Sequence, residues 1–471
     1  MEKNVEIEMK LVIGKKALQT LLSSPLFQQL VRQGSEKQRH LVSTYYDTED
    51  LALKKQGIAY RVRDKGDGSW EATVKTAQQS SNGLSRRLEL NLPLTENKPV
   101  LTGFADLGLG YELTELAGEG VEPLFTVAVD RTTYLLDVEG AVVEMALDQG
   151  KITTPKNRRA KDTIAEVELE LLEGEIAPLL KLVVQLTELV PVFVEKRSKF
   201  ARGLALLGMA GDERLPKVRV DMQAPVRQQV LRLVQQRGDA LLLVQNLLCQ
   251  KVTPELVKEL QKQLHYLQAY LCLGKELAAD ELLVKALDGM GEIAALAEHY
   301  QVVAELSGLW QQVRSRGGAV LDNGVLGKRL VLLQQDADQH LQRMAQSGKL
   351  SQVVYQALCW LQLRPWQNET YLELASLAKG QLQAWQEAGA EACLPEAALY
   401  YWQQIYCLSH SLPGKAYAKI AHEAKDLRKD CQEELRRRSI LQLVQGIAHG
   451  SNSRILTRDV GVVMGWLWAA E

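Results

Sequence analysis

The chain has 471 residues, with 56 Lys and Arg against 58 Asp and Glu and a formal net charge of −2. This length allows two or three domains, and near-neutral charge without a basic arm argues against a general nucleic-acid binder. The charged start, Met1 to Glu6, lacks the apolar stretch of a signal peptide, and runs such as 240–244 and 461–470 are too short to span a membrane as helices.

The first strand signal is Glu6-Ile7-Glu8-Met9-Lys10. In a strand, residues i, i+2 and i+4 share a face. Glu6, Glu8 and Lys10 then point one way, and Val5, Ile7, Met9 and Leu11 the other. The pattern recurs along the chain. Arg61 and Arg63 alternate with Tyr60 and Val62; Glu71, Thr73 and Lys75 alternate with Ala72 and Val74; Arg87 and Glu89 alternate with Leu88 and Leu90. Glu144 and Asp148 flank Met145 and Leu147, and Glu166, Glu168 and Glu170 alternate with Val167, Leu169 and Leu171. One such strand is ordinarily a solvated face. Six suggest a shared enclosure: an antiparallel barrel around a charged lumen, its apolar side covered by helices. Helices are expected at 14–31 and 175–189 in this half.

That lumen would hold two inventories. Glu6, Glu8, Glu144, Asp148, Glu166, Glu168 and Glu170 are hard oxygen donors suited to Mg²⁺ or Mn²⁺. Lys10, Arg61, Arg63, Lys75, Arg87, Arg131 and Lys199 are donors suited to phosphate oxygens. Together they point to a metal–polyphosphate complex, in which the metal neutralises the acids and bridges to the anion held by the bases.

The second half differs in composition. All five Phe lie at or before Phe200, whereas all six Cys lie after residue 248. Residues 211–217 read as a linker. We expect domains at 1–205 and 223–471 joined by 206–222. The fold class is α+β, with an all-α helical bundle following. The cysteines form no Cys-x-x-Cys pair and read as buried thiols of a cytoplasmic protein. No P-loop, zinc-protease helix or nucleophile elbow is present; His422-Glu423 lacks its second histidine, since position 426 is Asp426.

Glu6-x-Glu8-x-Lys10 resembles the signature of the CYTH family, the triphosphate tunnel metalloenzymes. The resemblance continues through Tyr46-Asp47-Thr48, Ala59 to Arg63, Thr73 to Lys75, Glu144 to Gly150, Glu166 to Glu170 and Ser198 to Gly203. It covers about residues 1–205. It implies an eight-stranded antiparallel tunnel and metal-dependent cleavage of a terminal phosphoryl group. Inorganic triphosphate is then the expected partner, with no nucleic acid or membrane. One metal would sit on Glu6, Glu8 and the Glu166/Glu168/Glu170 strand. A second would sit nearer Asp148 or Glu144. Arg61, Arg63, Lys75, Arg87, Arg131, Lys199 and Arg202 would bind phosphate. Lys10, Glu168 and Asp148 are the expected catalytic residues, Lys10 either fixing Glu8 or touching phosphate. Thiamine-triphosphatase, nucleoside or RNA triphosphatase and adenylyl cyclase activities share the family, and a non-catalytic polyphosphate-binding module is a further alternative.

From Thr253-Pro254-Glu255 the chain resembles the opening of a CHAD domain, an all-helical module often fused after CYTH. Thr253 suits an N-cap and Pro254 the first helical position. Leu256, Leu260, Leu264, Leu267 and Leu271 give a helical apolar stripe. The resemblance implies polyphosphate as a ligand. Here, however, Lys258, Gln261, His265, Tyr266 and Gln268 replace most of the family's basic stripe, so the CHAD-like half is degenerate and its polyphosphate binding is expected to be weak. A second stripe, Lys415, Lys419, His422, Lys425 and Lys429, reads first as a solvated face beside Glu423, Asp426 and Asp430. Trp360, Trp366, Trp385 and Trp402 could mark an interaction surface but read first as core.

Overall fold

The structure, a computed structural model, describes residues 5–76, 79–107, 113–118, 120–155, 157–209, 220–278, 280–317, 325–363, 373–449 and 454–469. The chain divides into two compact units, Met1–Leu215 and Pro216–Glu471. Of the expected connector 206–222, residues 210–219 lie outside the described residues.

In the first unit the strands are β1 (Val5–Ile13), β2 (Lys37–Asp47), β3 (Ala59–Asp64), β4 (Trp70–Lys75), β5 (Gln79–Ser81), β6 (Leu84–Leu94), β7 (Glu122–Val138), β8 (Ala141–Thr154), β9 (Asn157–Glu173) and β10 (Val192–Val194). Their order is β10-β1-β9-β8-β7-β2-β3-β4-β6-β5, and β1 also pairs with β6. That extra pairing closes eight antiparallel strands, β1-β9-β8-β7-β2-β3-β4-β6, into a barrel, with β10 and β5 as additions on β1 and β6.

The period-two pattern explains the closure. Apolar residues between the charges turn outward and are buried by helices. These are α1 (Lys15–Leu22), α2 (Pro25–Leu30), α3 (Ala52–Lys55), α4 (Leu113–Ala117), α5 (Ile176–Leu189) and α6 (Lys199–Leu206). Tyr60, Val62, Val74 and Leu90 pack with Leu53 of α3, Leu113 of α4 and Phe104. The Tyr46-Asp47-Thr48 motif is a helix clamp: the Asp47 carboxylate accepts from the backbone N–H groups of Leu53 at 2.9 Å and Lys54 at 3.0 Å, fixing α3. The single helix expected over 14–31 is instead α1 and α2. Pro25 cannot continue a helix and holds Ser24 extended, and the Ser24 hydroxyl caps α2 by accepting from Phe27 N at 3.1 Å.

Helix α6 fills one end of the barrel. Ser198 caps it, its hydroxyl accepting from Ala201 N at 3.1 Å. Leu204 and Phe200 pack among inward residues of the strands, including Tyr45, Phe125, Val127 and Ile152. Gly203 lets α6 approach: a Cβ there would stand 2.2 Å from the Phe125 ring, which is fully buried and stacked on Tyr45 at 4.9 Å. Alanine normally stabilises a helix by about 1 kcal/mol over glycine. Here the sign should reverse. We expect Gly203→Ala to lower stability by about 1–3 kcal/mol in chemical denaturation, the usual cost of overpacking.

The second unit is helical: α7 (Val226–Gln250), α8 (Pro254–Ala278), α9 (Glu281–Gly317), α10 (Val325–Gln346), α11 (Lys349–Leu363), α12 (Leu374–Glu391), α13 (Pro395–Ser411), α14 (Lys415–Ala448) and α15 (Arg454–Ala469). Helix α8 starts at Pro254, with the Thr253 hydroxyl accepting from Leu256 N at 3.3 Å. Leu260, Leu264, Leu267 and Leu271 are buried, as are Trp360 and Trp385; Trp366 lies outside the described residues. All six cysteines are free thiols. Only Cys272, Cys359 and Cys407 have the buried setting expected: Cys249 and Cys431 are half-buried, and Cys393 is exposed, because it falls in the short turn after α12 rather than on a packed helix face. Among the described residues no helix is long and apolar enough to cross a membrane.

Candidate active site: a charged tunnel

Strand register assembles the site row by row. Cα partners across β8, β9 and β1 place Asp148 opposite Glu166, Glu168 opposite Ala146 and Lys10, and Glu170 opposite Glu144 and Glu8. Across β1, β6 and β4, Glu6 faces Arg87 and Glu89 faces Lys75. Across β3 and β2, Arg61 faces Tyr45 and Arg63 faces Ser43. These rows enclose a cavity of ≈ 970 Å³. Lys10, Arg61, Arg63, Lys75, Arg87, Arg131 and Lys199 all line it, with Glu6, Glu8, Glu89, Glu168 and Glu170.

Most of these charges are paired. Arg87 donates to Glu6 at 2.7 Å and to Glu8 at 2.6 Å. Lys75 bridges Glu6 at 3.0 Å and also Glu89. Lys10 sits between Glu8 at 2.6 Å and Glu168 at 2.8 Å. Arg131 forks onto Asp148 with two contacts of 2.6 Å and reaches Glu168 at 2.6 Å. Lys199 contacts Asp148 at 2.7 Å, Glu168 at 2.9 Å and Glu166. Burial opposes the Lys199 charge, yet Glu168, Asp148 and Glu166 hold its pKa well above the usual lysine range.

Arg202 turns away from the cavity. It donates to Asp162 at 2.8 and 2.9 Å, to Glu166 at 3.3 Å and to the Thr163 carbonyl at 2.7 Å, tying α6 to β9. Asp148 and Glu166 likewise lie behind Lys199, Arg131 and Arg202 rather than on the cavity wall.

Lys54, also on the wall, donates to the Met209 carbonyl at 3.0 Å, and two of the other wall charges are left without an ionic partner among the described residues. The first is Arg63. Its Nε donates to the Ser43 hydroxyl at 2.9 Å. Burial, then the neighbouring Arg61 and Arg131, pushes its pKa down to about 9. Beside it, Arg61 is 7% exposed and its Nε has no hydrogen-bond partner among the described residues. The second is Glu170. Burial, then the carboxylates of Glu6, Glu89, Glu144 and Glu8, pushes its pKa up to about 7. Like charges directly opposite on neighbouring strands are destabilising, and the Glu144–Glu170–Glu8 row places three carboxylates side by side. One wall of the cavity therefore lacks a cation and another lacks an anion.

Oxygen donors of this kind suit a hard divalent cation. Asp148, Glu166 and Glu168 also bring ligand atoms within 4.8 Å of one another, a spacing that could hold a metal ion. That trio already surrounds the Lys199 ammonium, whereas no cation among the described residues pairs with Glu144 or Glu170.

Sequence reasoning did not single out Glu89, Tyr45 or Asp162 as site residues. Glu89 carried a signal, alternating with Arg87. Asp162 also shares the face of Glu166, four residues earlier on β9. Tyr45 carried none: only the fold turns its ring inward, where Arg61, Lys75 and Arg63, acting against burial, lower its pKa.

Breaking a buried pair by removing one partner costs about 3–5 kcal/mol. Glu8 is 2% exposed and holds both Arg87 and Lys10. Glu8→Gln is therefore expected to lose turnover and about 3 kcal/mol of stability together, measured by phosphate release and urea denaturation.

An antiparallel barrel whose lumen carries interleaved acids and bases defines a class of charged tunnel. Residues 4–204 match the CYTH domain. The inorganic triphosphatase of Haemophilus influenzae is 34% identical over 166 residues, spanning 35% of this chain and 46% of the relative. The chain thus matches about half the length of that relative. Among solved structures, a putative adenylyl cyclase from Hippeastrum with a dominant triphosphatase activity is 21% identical, with a TM-score of 0.32 over 42% of this chain and 95% of its own. The PH1819 protein from Pyrococcus horikoshii is 21% identical, with a TM-score of 0.27 over 43% of this chain and 99% of its own. The CYTH match falls within the first unit.

Proposed function

We propose that the tunnel hydrolyses inorganic triphosphate to diphosphate and phosphate, with Mg²⁺ or Mn²⁺ as cofactor, in the cytoplasm. The observation that carries this reading is the pair of uncompensated charges in one cavity, Arg63 and Glu170. A polyanion alone would satisfy Arg63 and repel Glu170. A metal–polyphosphate complex satisfies both.

In this reading Arg63 and Arg61, with Lys75, Arg87, Arg131, Lys199 and Lys10, hold the phosphate oxygens. Their donors face the oxygens on which charge accumulates as the terminal phosphoryl group leaves the bridging oxygen for water. Glu170, Glu144, Glu8 and Glu6 would hold the metal, which supplies charge neutralisation and a bound water of lowered pKa. We assign Asp148, Glu166 and Glu168 to fixing Arg131 and Lys199, since Asp148 and Glu166 lie off the cavity wall and Glu168 is shared by Lys10, Arg131 and Lys199. Inorganic triphosphate is favoured over organic esters because the aromatic rings on the wall, Tyr45 and Phe200, are already packed on Phe125.

A phosphate-release screen tests this with triphosphate, ATP, thiamine triphosphate and long-chain polyphosphate, each with Mg²⁺, Mn²⁺ or chelator. Triphosphate should give the highest kcat/KM, and chelator should abolish it. Metal-independent turnover, or an organic triphosphate preferred by more than about tenfold, would overturn the reading.

We read the helical unit as a degenerate CHAD-like scaffold that binds long polyphosphate weakly. The Lys415–Lys429 stripe is exposed and salted with acids: Lys419 lies 3.8 Å from Glu423 and His422 4.0 Å from Asp426. A fragment of residues 1–215 is accordingly expected to fold and to keep its triphosphate turnover. A folded, inactive fragment rescued by residues 216–471, or tight salt-sensitive polyphosphate binding by the latter, would count against it.

A further inference from the structure

Lys54 is a residue of the tunnel wall that the ion pairs described above leave aside. The Asp47 clamp fixes its backbone, and the residue is half-buried. Its ammonium donates to the Met209 carbonyl, in the segment after α6, and no carboxylate pairs with it among the described residues. Glu89, which the register sets across β4 from Ala59, is already held by Lys75 and, at 3.6 Å, by Arg61. An ammonium has three N–H donors, and the neutral Met209 carbonyl uses one of them while aiming the group.

Strand direction places Lys54 at the opposite end of the barrel from Glu170. Glu170 lies near the Glu173 end of β9, which antiparallel pairing sets beside the Ala141 end of β8, the Val138 end of β7 and the Lys37 end of β2. Helix α3 follows the other end of β2, Asp47. Gly57, Ile58 and Ala59, next along the chain, are wall residues too, so this end of the fold faces the cavity. With the metal held by Glu170 and its neighbours, as proposed above, the transferred phosphoryl group lies at that end. The far phosphate of the chain then extends toward Lys54.

We propose, on the triphosphatase reading above, that Lys54 is a specificity-determining residue: it binds the far, non-transferred end of the chain and selects a free terminal phosphate over an esterified one. A free terminal phosphate has a second ionisable oxygen, which brings its charge to about −1.5 to −2 at pH 7. An ester at that end replaces this oxygen by an O–C bond and keeps a single charge. Hydrogen bonds to an ionised acceptor strengthen with its charge, so the ammonium favours the uncapped end. A carboxylate paired with Lys54 would cancel that preference, and the acid nearest in the register, Glu89, is taken by other cations.

The test measures kcat and KM of the full chain, with Mg²⁺ and with Mn²⁺, for inorganic triphosphate and for its methyl ester, the smallest cap on the far end. The wild-type chain should prefer the uncapped substrate by about tenfold or more in kcat/KM. Lys54→Gln keeps a donor for the Met209 carbonyl and removes the charge. It should lower kcat/KM for triphosphate about tenfold and that of the methyl ester by less than about threefold. The loss should fall chiefly on KM, because the far phosphate is held alike in the bound substrate and the transition state. Lys54→Arg, which restores the charge, should keep the wild-type preference. A residue that only latched α3 to the chain after α6 would act equally on both substrates. A wild-type chain without the preference, an unchanged preference in Lys54→Gln, an equal loss on both substrates, or loss of the preference in a folded Lys54→Arg overturns this role for Lys54 and leaves the triphosphatase reading standing. No triphosphate turnover by the wild-type chain with either metal overturns both.

Discussion

Glu170→Gln is expected to stabilise the metal-free protein and to abolish turnover. The two effects have one cause. Glu170 has no cation paired with it among the described residues, and the folded state raises its pKa to about 7. A carboxylate with a raised folded pKa is fully compatible with folding when protonated, below its unfolded value. Stability is lost as pH rises from that unfolded value to about 7, where the folded group ionises and the loss is complete. Gln mimics the protonated form. The stabilisation should therefore be absent near pH 4, grow with pH, and level off above pH 7 at roughly 2 kcal/mol, since each tenfold change in proton affinity is about 1.4 kcal/mol and the group keeps some solvent. Turnover should fall about 100-fold or more, equivalent to roughly 2.7 kcal/mol of transition-state stabilisation. Thermal melts in chelator across pH, paired with phosphate release at saturating metal, measure both. A variant that is less stable at pH 8, or that retains near-normal activity, removes Glu170 from the proposed metal site.

Arg63→Met is the mirror image. Its guanidinium is held among Arg61 and Arg131, and it donates to the Ser43 hydroxyl with no carboxylate paired to it among the described residues. Met keeps most of the volume and removes the repelled charge, so the melting temperature of the ligand-free protein should hold or rise. Catalytic efficiency should fall about 100-fold, because a desolvated charge-assisted contact to a phosphate oxygen is lost. A loss smaller than about tenfold, or 1.4 kcal/mol, would mean that Arg63 does not touch the transferred group. Arg202→Met offers the contrast. Its partners are Asp162, Glu166 and a backbone carbonyl. Losing them should lower stability first and activity only through the displacement of α6.

Sites that are strained when empty trade stability for function. Arg63 and Glu170 fit that description, whereas Asp148, Arg131 and Lys199 form closed ion pairs whose removal orphans a buried partner.

The alternation of charged and apolar residues in β1, β3, β4, β6, β8 and β9 was sufficient to place the acids and bases on one face and the apolar residues on the other. The reason is local: the pleat has period two, so sequence spacing alone sets sidedness. The helix stop at Pro25 was also written in the chain, although 14–31 reads as one helix if periodicity outweighs the proline. Cap and stripe at Thr253 to Leu271 were equally local, and α8 follows them.

Pairing within the lumen was beyond the sequence. Seven carboxylates and seven cavity cations look interchangeable in a list, and spacing gave Asp148, Glu144 and Glu168 equal claims on a metal. Register decided between them. It set Ala146 opposite Glu168, leaving room for Lys199 and Arg131, and it stacked Glu144, Glu170 and Glu8 with no cation between them. Helix α6 made the rest of the choice, bringing Lys199 and Arg202 from the far end of the domain to the acids of β8 and β9. These are contacts between segments more than thirty residues apart, governed by how the barrel closes. Sequence by itself determined which residues could be inside; only closure of the barrel decided which of them neutralise each other and which two, Arg63 and Glu170, are left for a ligand to satisfy.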